Sequence, residues 1–407
     1  MKRRKLLLGL LGAALAASLA PAVAMAATPA KPTIDQGCIT LTQPVSGSSI
    51  KISWLKDTAA TKYAVRYSRS STMKGAKYKY VSSKYTSTTI TGLKAGYNYY
   101  FQVRAYGKTT KTTPKYKWST ARHCSTAYKG KVNSYSWKQL KSISNKIAAC
   151  TSKSQALSVA RKYSLIGASK RLSGFEYKNV KIYGVTFKAQ IVDFWRDTRT
   201  TGKKAGITFM LKECPDCGEL DKAGGSKWST SSARTWCNND LYKALPSDLR
   251  SYVCSVKKIS WTPGLETETT YDKISIPSVP EVWGLATASS VASGWEDRQI
   301  MGEYQYKYFA DVNVGVRAKT TRWFLEDLDD GNIQQWERSS IYTPVSMKLA
   351  SAYYLTGSSC SWWTRDLSLL EDGFYAASRG GNMDFNNVVK SNTSSSIPPS
   401  YRPVFCI

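Results

Sequence analysis

Cys214 and Cys217 stand at C-x-x-C spacing in "KECPDCGEL", an arrangement that can hold zinc, exchange electrons or close a local disulfide. Zinc would need two further soft or nitrogen ligands, and the chain has neither a second C-x-x-C nor a His pair. Redox use asks for a strand-to-helix context with the first Cys at a helix start, whereas this stretch reads as a loop with a tight turn. A local disulfide is the expectation, with Cys237 and Cys254 as a staple on the neighbouring helices. Cys38 and Cys124 either bridge the ends of the N-terminal domain or stand as buried thiols. Cys150, Cys360 and Cys406 complete a set of nine, an odd number that leaves at least one thiol outside any intramolecular pair.

Other reactive groups are sparse. His123 is the sole histidine, and no nucleophile–base set can be built around it. No G-x-S-x-G, H-E-x-x-H or P-loop occurs, which disfavours triads and metalloprotease sites. "EDLDDGN" (326–332) gathers four acids, but Arg338 stands where a calcium loop needs its bidentate Glu, so a solvated turn is expected. Asp193 and Asp197, flanking Trp195, form the least implausible carboxylate pair for a glycan hydrolase. No metal or cofactor is expected. The stretch "CSWWTRDLS" (360–368) sets Trp362 and Trp363 side by side, so on a strand they face opposite ways. Together with Arg365 they are the candidate ligand contacts, with a scaffold role as the favoured alternative.

Four regions must position these residues. "MKRRKLLLGLLGAALAASLAPAVAMA" (1–26) has the basic start, apolar run and small-x-small end of a secretory signal. The chain is therefore expected to be exported, with no membrane span after cleavage. Residues 27–130 carry 18 Lys or Arg against Asp35 and Asp57, a balance of +16 that attracts anionic polymers. Residues 131–407 hold 36 basic and 26 acidic residues, a balance of +10. Between Ala30 and Lys131 apolar residues alternate: Ile50, Ile52 and Trp54; Tyr63, Val65 and Tyr67; Tyr97, Tyr99, Phe101 and Val103. That period of two predicts a β-sandwich. Residues 131–168 change period: Trp137, Leu140, Ile143, Ile147 and Cys150 lie on one helical face. "TSKS" breaks that helix and starts a second, and both apolar stripes are expected to pack on the domain that follows, 169–407. There, "STSSARTWCNNDLYKALPSDLRSYV" predicts a serine-capped helix, a turn at Leu245–Ser247 and a second short helix.

Residues 27–130 resemble the fibronectin type III family. Trp54 matches its core tryptophan. Leu93, Gly96, Tyr99, Phe101, Val103 and Ala105 match its L-x-P-G-x-x-Y-x-F-x-V-x-A signature, with Ala95 in place of proline. The resemblance implies a spacer or binding module in which the Tyr99 hydroxyl ties back to upstream backbone. The C-terminal part resembles domain-of-unknown-function family 6273 through "GKKAGITF", "KWSTSSARTWCNNDLYKALPSDLRSYV", "DKISIPSVPEVWG", "YQYKYFAD", "WWTRD" and "RPVFCI". It departs at Thr364 and Asp366, and "FWRDTRTTG" replaces a loop that usually bears a histidine. That resemblance implies an exported Gram-positive module without an established reaction. By analogy it implies a C-type-lectin-like or formylglycine-enzyme-like arrangement, with the terminal strand returning beside the first.

The fold class expected is thus multidomain: an all-β sandwich followed by an α+β C-terminal domain. The expected function is non-enzymatic binding or adhesion at a cell surface. The basic sandwich would lie near an anionic envelope, and the Trp/Tyr-rich domain would recognise a cell-wall polymer, a glycan, or a host or bacterial surface protein. The alternatives are a paired-carboxylate hydrolase and an extracellular polyanion binder whose affinity rests on Lys and Arg.

Overall fold

The computed structural model describes residues 39–107, 118–221, 227–262, 267–284, 305–312, 352–353, 359–367, 374–377, 383–384 and 399–407. The expectations for the leader, for Cys38 and for the acidic run 326–332 lie outside them.

Strands β1 (Ile39–Ser46), β2 (Ser49–Trp54), β3 (Lys62–Ser68), β4 (Lys77–Ser82), β5 (Ser87–Ile90), β6 (Asn98–Tyr106) and β7 (Arg122–Ser125) form a sandwich. Its sheets are ordered β1-β2-β5 and β4-β3-β6-β7, with neighbouring strands antiparallel. The period-two pattern sets the inner face, because successive side chains on a strand point to opposite sides. Ile50, Ile52, Trp54, Tyr63, Val65, Phe101 and Val103 meet between the sheets, with Trp54 edge-on to Tyr63 at 5.3 Å. Buried Tyr99 accepts a hydrogen bond from the Lys94 N–H at 3.0 Å, which fixes the turn entering β6. Gly96 in that turn has φ +71°, and a Cβ there would lie 2.9 Å from the Tyr128 ring and 3.3 Å from the Gly167 backbone. Glycine lets the sandwich and the segment after the helices touch at this point.

Helix α1 (Trp137–Ala148) starts at a capping box in which Ser136 and Gln139 satisfy each other's backbone N–H groups. Ser152 caps α2 (Lys153–Lys162). Trp137, Leu140, Ile143 and Ile147 share one hydrophobic core with the C-terminal region, because an isolated twelve-residue helix would be marginal without a packed face. That core lies against strands β8 (Tyr177–Ile182), β9 (Val185–Phe194) and β10 (Ile207–Leu211). Gly206 passes so close to Ser144 of α1 that a Cβ would sit 2.0 Å from its carbonyl oxygen, so only glycine fits.

Further along are β11 (Asp216–Cys217), α3 (Ser232–Trp236), α4 (Tyr242–Ala244), α5 (Ser247–Arg250), β12 (Val256–Trp261), β13 (Thr267–Asp272), β14 (Ile274–Ser275) and α6 (Val279–Trp283). Next come a helical turn, Lys307–Asp311, and the short pair β15 (Ala352–Tyr353) and β16 (Ser359–Cys360). Last are β17 (Trp362–Leu367), β18 (Phe374–Ala377), β19 (Met383–Asp384), β20 (Ser400–Tyr401) and β21 (Val404–Cys406). Helices and strands mix throughout, giving an α+β domain with two main sheets, β14-β21-β10-β9-β8 and β11-β20-β17-β18-β19. The terminal strand β21 does return into a sheet, between β10 and β14 rather than beside the first strand. Phe405 there stacks on Phe209 at 5.5 Å, and Trp137 of α1 closes over both.

The serine-capped helical stretch contains a wide turn, Cys237–Leu241, between α3 and α4. Beside that turn, the Asn238 amide donates to the Ile274 carbonyl, and its oxygen accepts from the Lys273 N–H. Leu241, Leu245 and Leu249 are buried on the side the sequence pattern selects.

Candidate functional site

The outer face of the β4-β3-β6-β7 sheet carries the residues that the alternation turns away from the core. Register pairs Lys62 with Tyr106, Ala64 with Arg104 and Arg66 with Gln102 across β3 and β6. Tyr80 and Tyr78 on β4 lie opposite Ala64 and Arg66. Ala64 is fully buried although it points outward, because longer neighbours close over its methyl group. Lys62 sits over the rings of Tyr106 (4.9 Å) and Tyr80 (5.5 Å). Arg66 and Arg104 sit over Trp118 at 4.4 and 4.1 Å, and Tyr78 lies 6.1 Å from the same indole. Arg66 is held flat by two hydrogen bonds to the Gln102 side-chain oxygen, at 2.8 and 2.6 Å. Tyr78 and Tyr80 stay 52% and 61% exposed, so ring faces as well as cations reach solvent. Among the described residues no carboxylate pairs with Lys62, Arg66 or Arg104.

The apolar alternation in the sequence marks the inward half of these strands. The same period of two would have supplied the outward half: Lys62 and Arg66 on β3, Arg104 and Tyr106 on β6. His123 lies beside this face with its ring edge-on to Tyr100 at 5.9 Å.

A second cluster lies in the C-terminal domain. Lys258, on β12, is 2% exposed and donates to Asp197 (2.6 Å), Glu281 (3.0 Å) and the Tyr306 hydroxyl (2.7 Å). Arg365 donates to the other Glu281 oxygen at 2.6 Å, to the Ile276 carbonyl at 2.7 Å and to the Ile259 carbonyl at 3.1 Å. Burial disfavours the Glu281 carboxylate, but Arg365 and Lys258 outweigh it and hold the carboxyl well below its usual range. Asp197 is likewise lowered: burial opposes its charge and Lys258 wins. Asp366 accepts from the Trp261 N–H (3.0 Å) and the Val279 N–H (2.6 Å), while burial lifts its pKa to about 6. A cleft of about 340 Å³ opens over this cluster, lined by Arg365, Lys258, Trp261 and Lys204 among others.

Trp362 and Trp363 are 0% and 1% exposed, so both faces of β17 are covered and neither indole meets solvent. The Arg402 guanidinium lies 5.3 Å over Trp362, and the Trp363 N–H donates to the Gly218 carbonyl at 2.8 Å. Of the three candidate contacts, only Arg365 lines the cleft. Asp193 and Asp197 do not share a site. Asp193 is ion-paired to Lys153 and accepts from the Lys307 N–H, whereas Asp197 belongs to Lys258.

The cysteines are arranged otherwise than their spacing suggested. Cys214 and Cys217 are not joined, and neither are Cys237 and Cys254. The Cys214 sulfur instead faces that of Cys360 at 3.7 Å. Cys214 is buried before the bend at Pro215, whereas Cys217 lies beyond it on β11 and is half-buried. Cys237 is enclosed in the wide turn of the helical stretch, and Cys254 bridges to Cys406 through its backbone. Cys124 is buried in the sandwich core, where burial keeps its thiol protonated.

Family models match the two halves in turn: a fibronectin type III domain over residues 36–121, and a domain of unknown function, DUF6273, over residues 217–407. The chain carries a fibronectin type III domain followed by a DUF6273 domain. A search of curated proteins found no match. Among solved structures, the sandwich is similar to the FN1–FN3 domains of chicken CNTN1 at 22% identity and TM-score 0.19. That match takes in 22% of this chain and 30% of the other, so the chain spans less than a third of it. The FN5 domain of Drosophila Lar matches at 21% identity over 24% of this chain and 97% of that one, with TM-score 0.18. The fn3 domain of human contactin 1 matches at 19% identity over 26% and 88%, with TM-score 0.20. The fibronectin type III domain supplies the cation–aromatic face, and the DUF6273 domain contributes Lys258, Glu281 and Arg365 to the buried cluster. Among the described residues no helix is long and apolar enough to cross a membrane, and no group of three or more His, Cys, Asp or Glu is placed to hold a metal.

Proposed function

We propose that this protein is an exported, surface-associated binding protein whose fibronectin type III domain docks on an acidic polysaccharide of a cell envelope. The observation that carries the reading is the stack of Lys62, Arg66 and Arg104 on Tyr80, Tyr106 and Trp118, with no carboxylate among the described residues to neutralise it. Cations attract the polymer's acid groups, and exposed rings offer flat apolar faces against sugar rings. The basic leader and the +16 balance of residues 27–130 support export and an anionic partner.

The test is retention of the purified protein on acid-bearing cell-wall polymer, on a neutral glycan of similar length, and on single-stranded DNA. Saturable retention on the acidic polymer, lost in an Arg66→Ala/Arg104→Ala variant, supports the reading. Affinity should fall roughly tenfold or more between about 50 and 200 mM salt if the three cations act together. Equal retention on the neutral glycan, tighter binding to the DNA, or product release from the polymer would overturn it.

A further inference from the structure

The cleft of the C-terminal domain lies apart from the sandwich face and has its own charge logic. Its floor is balanced: Lys258 and Arg365 face Asp197 and Glu281, cation for carboxylate. Lys204 and Lys257 line the cleft as well, and the only carboxylates among the described lining residues are the two already engaged on the floor. Lys204 spends its donors on neutral oxygens, the Arg196 carbonyl at 3.1 Å and the Thr198 hydroxyl at 3.2 Å. One donor on the floor also has no acceptor among the described residues: Arg365 Nε is enclosed and makes no hydrogen bond with them. Enclosed guanidinium donors without acceptors are uncommon in folded proteins, and a ligand oxygen is one remedy. Trp261 and Pro280 give the cleft an apolar wall. At about 340 Å³ it is at the small end of ligand pockets, the size for one sugar or amino-acid unit.

We propose that this cleft binds a small molecule bearing an oxyanion, a carboxylate or a phosphate, on a body of about one sugar ring. The acid group sits at the Lys204 ammonium above Arg365, with Lys257 adding positive charge nearby, and the body lies along Trp261. The site is independent of the sandwich face, so either reading can fail while the other stands.

Calorimetric titration of the full chain at low ionic strength with glucuronate, inorganic phosphate and glucose tests it. Saturable binding of glucuronate or phosphate, with glucose inert, is expected; which anion binds identifies the oxyanion. Lys257→Glu, at an exposed position, and Lys204→Ala should each weaken that binding about tenfold. Lys84→Ala, an exposed lysine on the sandwich, should leave it unchanged and so separates a local effect from loss of overall charge. Binding of neither anion, equal binding of glucose, wild-type affinity in both the Lys257→Glu and Lys204→Ala variants, or an equal loss in Lys84→Ala would overturn the proposal.

Discussion

The two domains are both rich in cations and place them in opposite ways. On the sandwich, Lys62, Arg66 and Arg104 lie at the surface against aromatic rings, in a domain whose described residues include a single acid, Asp57. In the C-terminal domain, Lys258 and Arg365 are buried and each is bonded to a carboxylate. A cation whose counter-charge lies inside the fold is committed to that fold. One stacked on a ring, without a carboxylate, keeps its charge for something outside. The contrast separates positive charge committed to cohesion in one half from positive charge left at the surface in the other, on the face that carries the proposed binding.

The strongest way to break this comparison is to remove a buried partner. Arg365→Ala leaves Glu281 with Lys258 as its one cation among the described residues and frees two backbone carbonyls, so about 3–5 kcal/mol of stability should be lost in urea unfolding. Trp363→Ala should cost a similar amount, about 3–5 kcal/mol, because the indole is enclosed and its N–H is bonded. A folded, cooperative Trp363→Ala protein with unchanged midpoint would contradict a scaffold role.

The pH dependence sharpens the comparison next. Glu281 and Asp197 titrate below the usual range, so their stabilisation is complete above about pH 4.5 and disappears as the pH falls further. Asp366 runs the other way, as does Glu176, a buried acid that accepts from the Ser173 and Gly174 N–H groups, because burial lifts them to about 6 and about 7. There the native state binds protons more tightly than the unfolded chain, so stability falls as the pH rises through that interval. Maximal stability is expected near about pH 5. An unfolding midpoint that climbs steadily from pH 5 to 8 would show these burial effects to be misassigned.

Smaller effects belong to the sandwich. Tyr99→Phe removes the acceptor of the Lys94 N–H and should cost about 1 kcal/mol, read from thermal unfolding. Arg66→Ala with Arg104→Ala should change stability by less than about 1 kcal/mol, since no carboxylate is left behind. A loss as large as that of Arg365→Ala would erase the distinction between the domains.

Much of the sandwich was legible because a strand's period is local. Ile50, Ile52 and Trp54 declared the inner face of β2, and the complementary set on β3 and β6 was present in the same pattern. Helix α1 was legible for the same reason, through Trp137, Leu140, Ile143 and Ile147. The Lys258 cluster was not, because its members come from five separated segments near 197, 258, 281, 306 and 365. Spacing along the chain says nothing about which acid a distant lysine will meet. The Cys214–Cys360 approach is hidden in the same way, across 146 positions.

For this protein the sequence by itself determined the two-part architecture, the basic surplus of the N-terminal part and the inward residues of each regular element. These follow from composition and from periods of two and 3.6, which need no knowledge of distant contacts. Tertiary structure alone decided that both tryptophans of "CSWWTRDLS" are enclosed, since a strand buries both faces only when layers cover each side. It also decided that Arg365 reaches a cleft while Asp193 and Asp197 part company. Charge partners are chosen by proximity in space, and only the packed fold brings Ile276, Ile259 and Glu281 around one guanidinium.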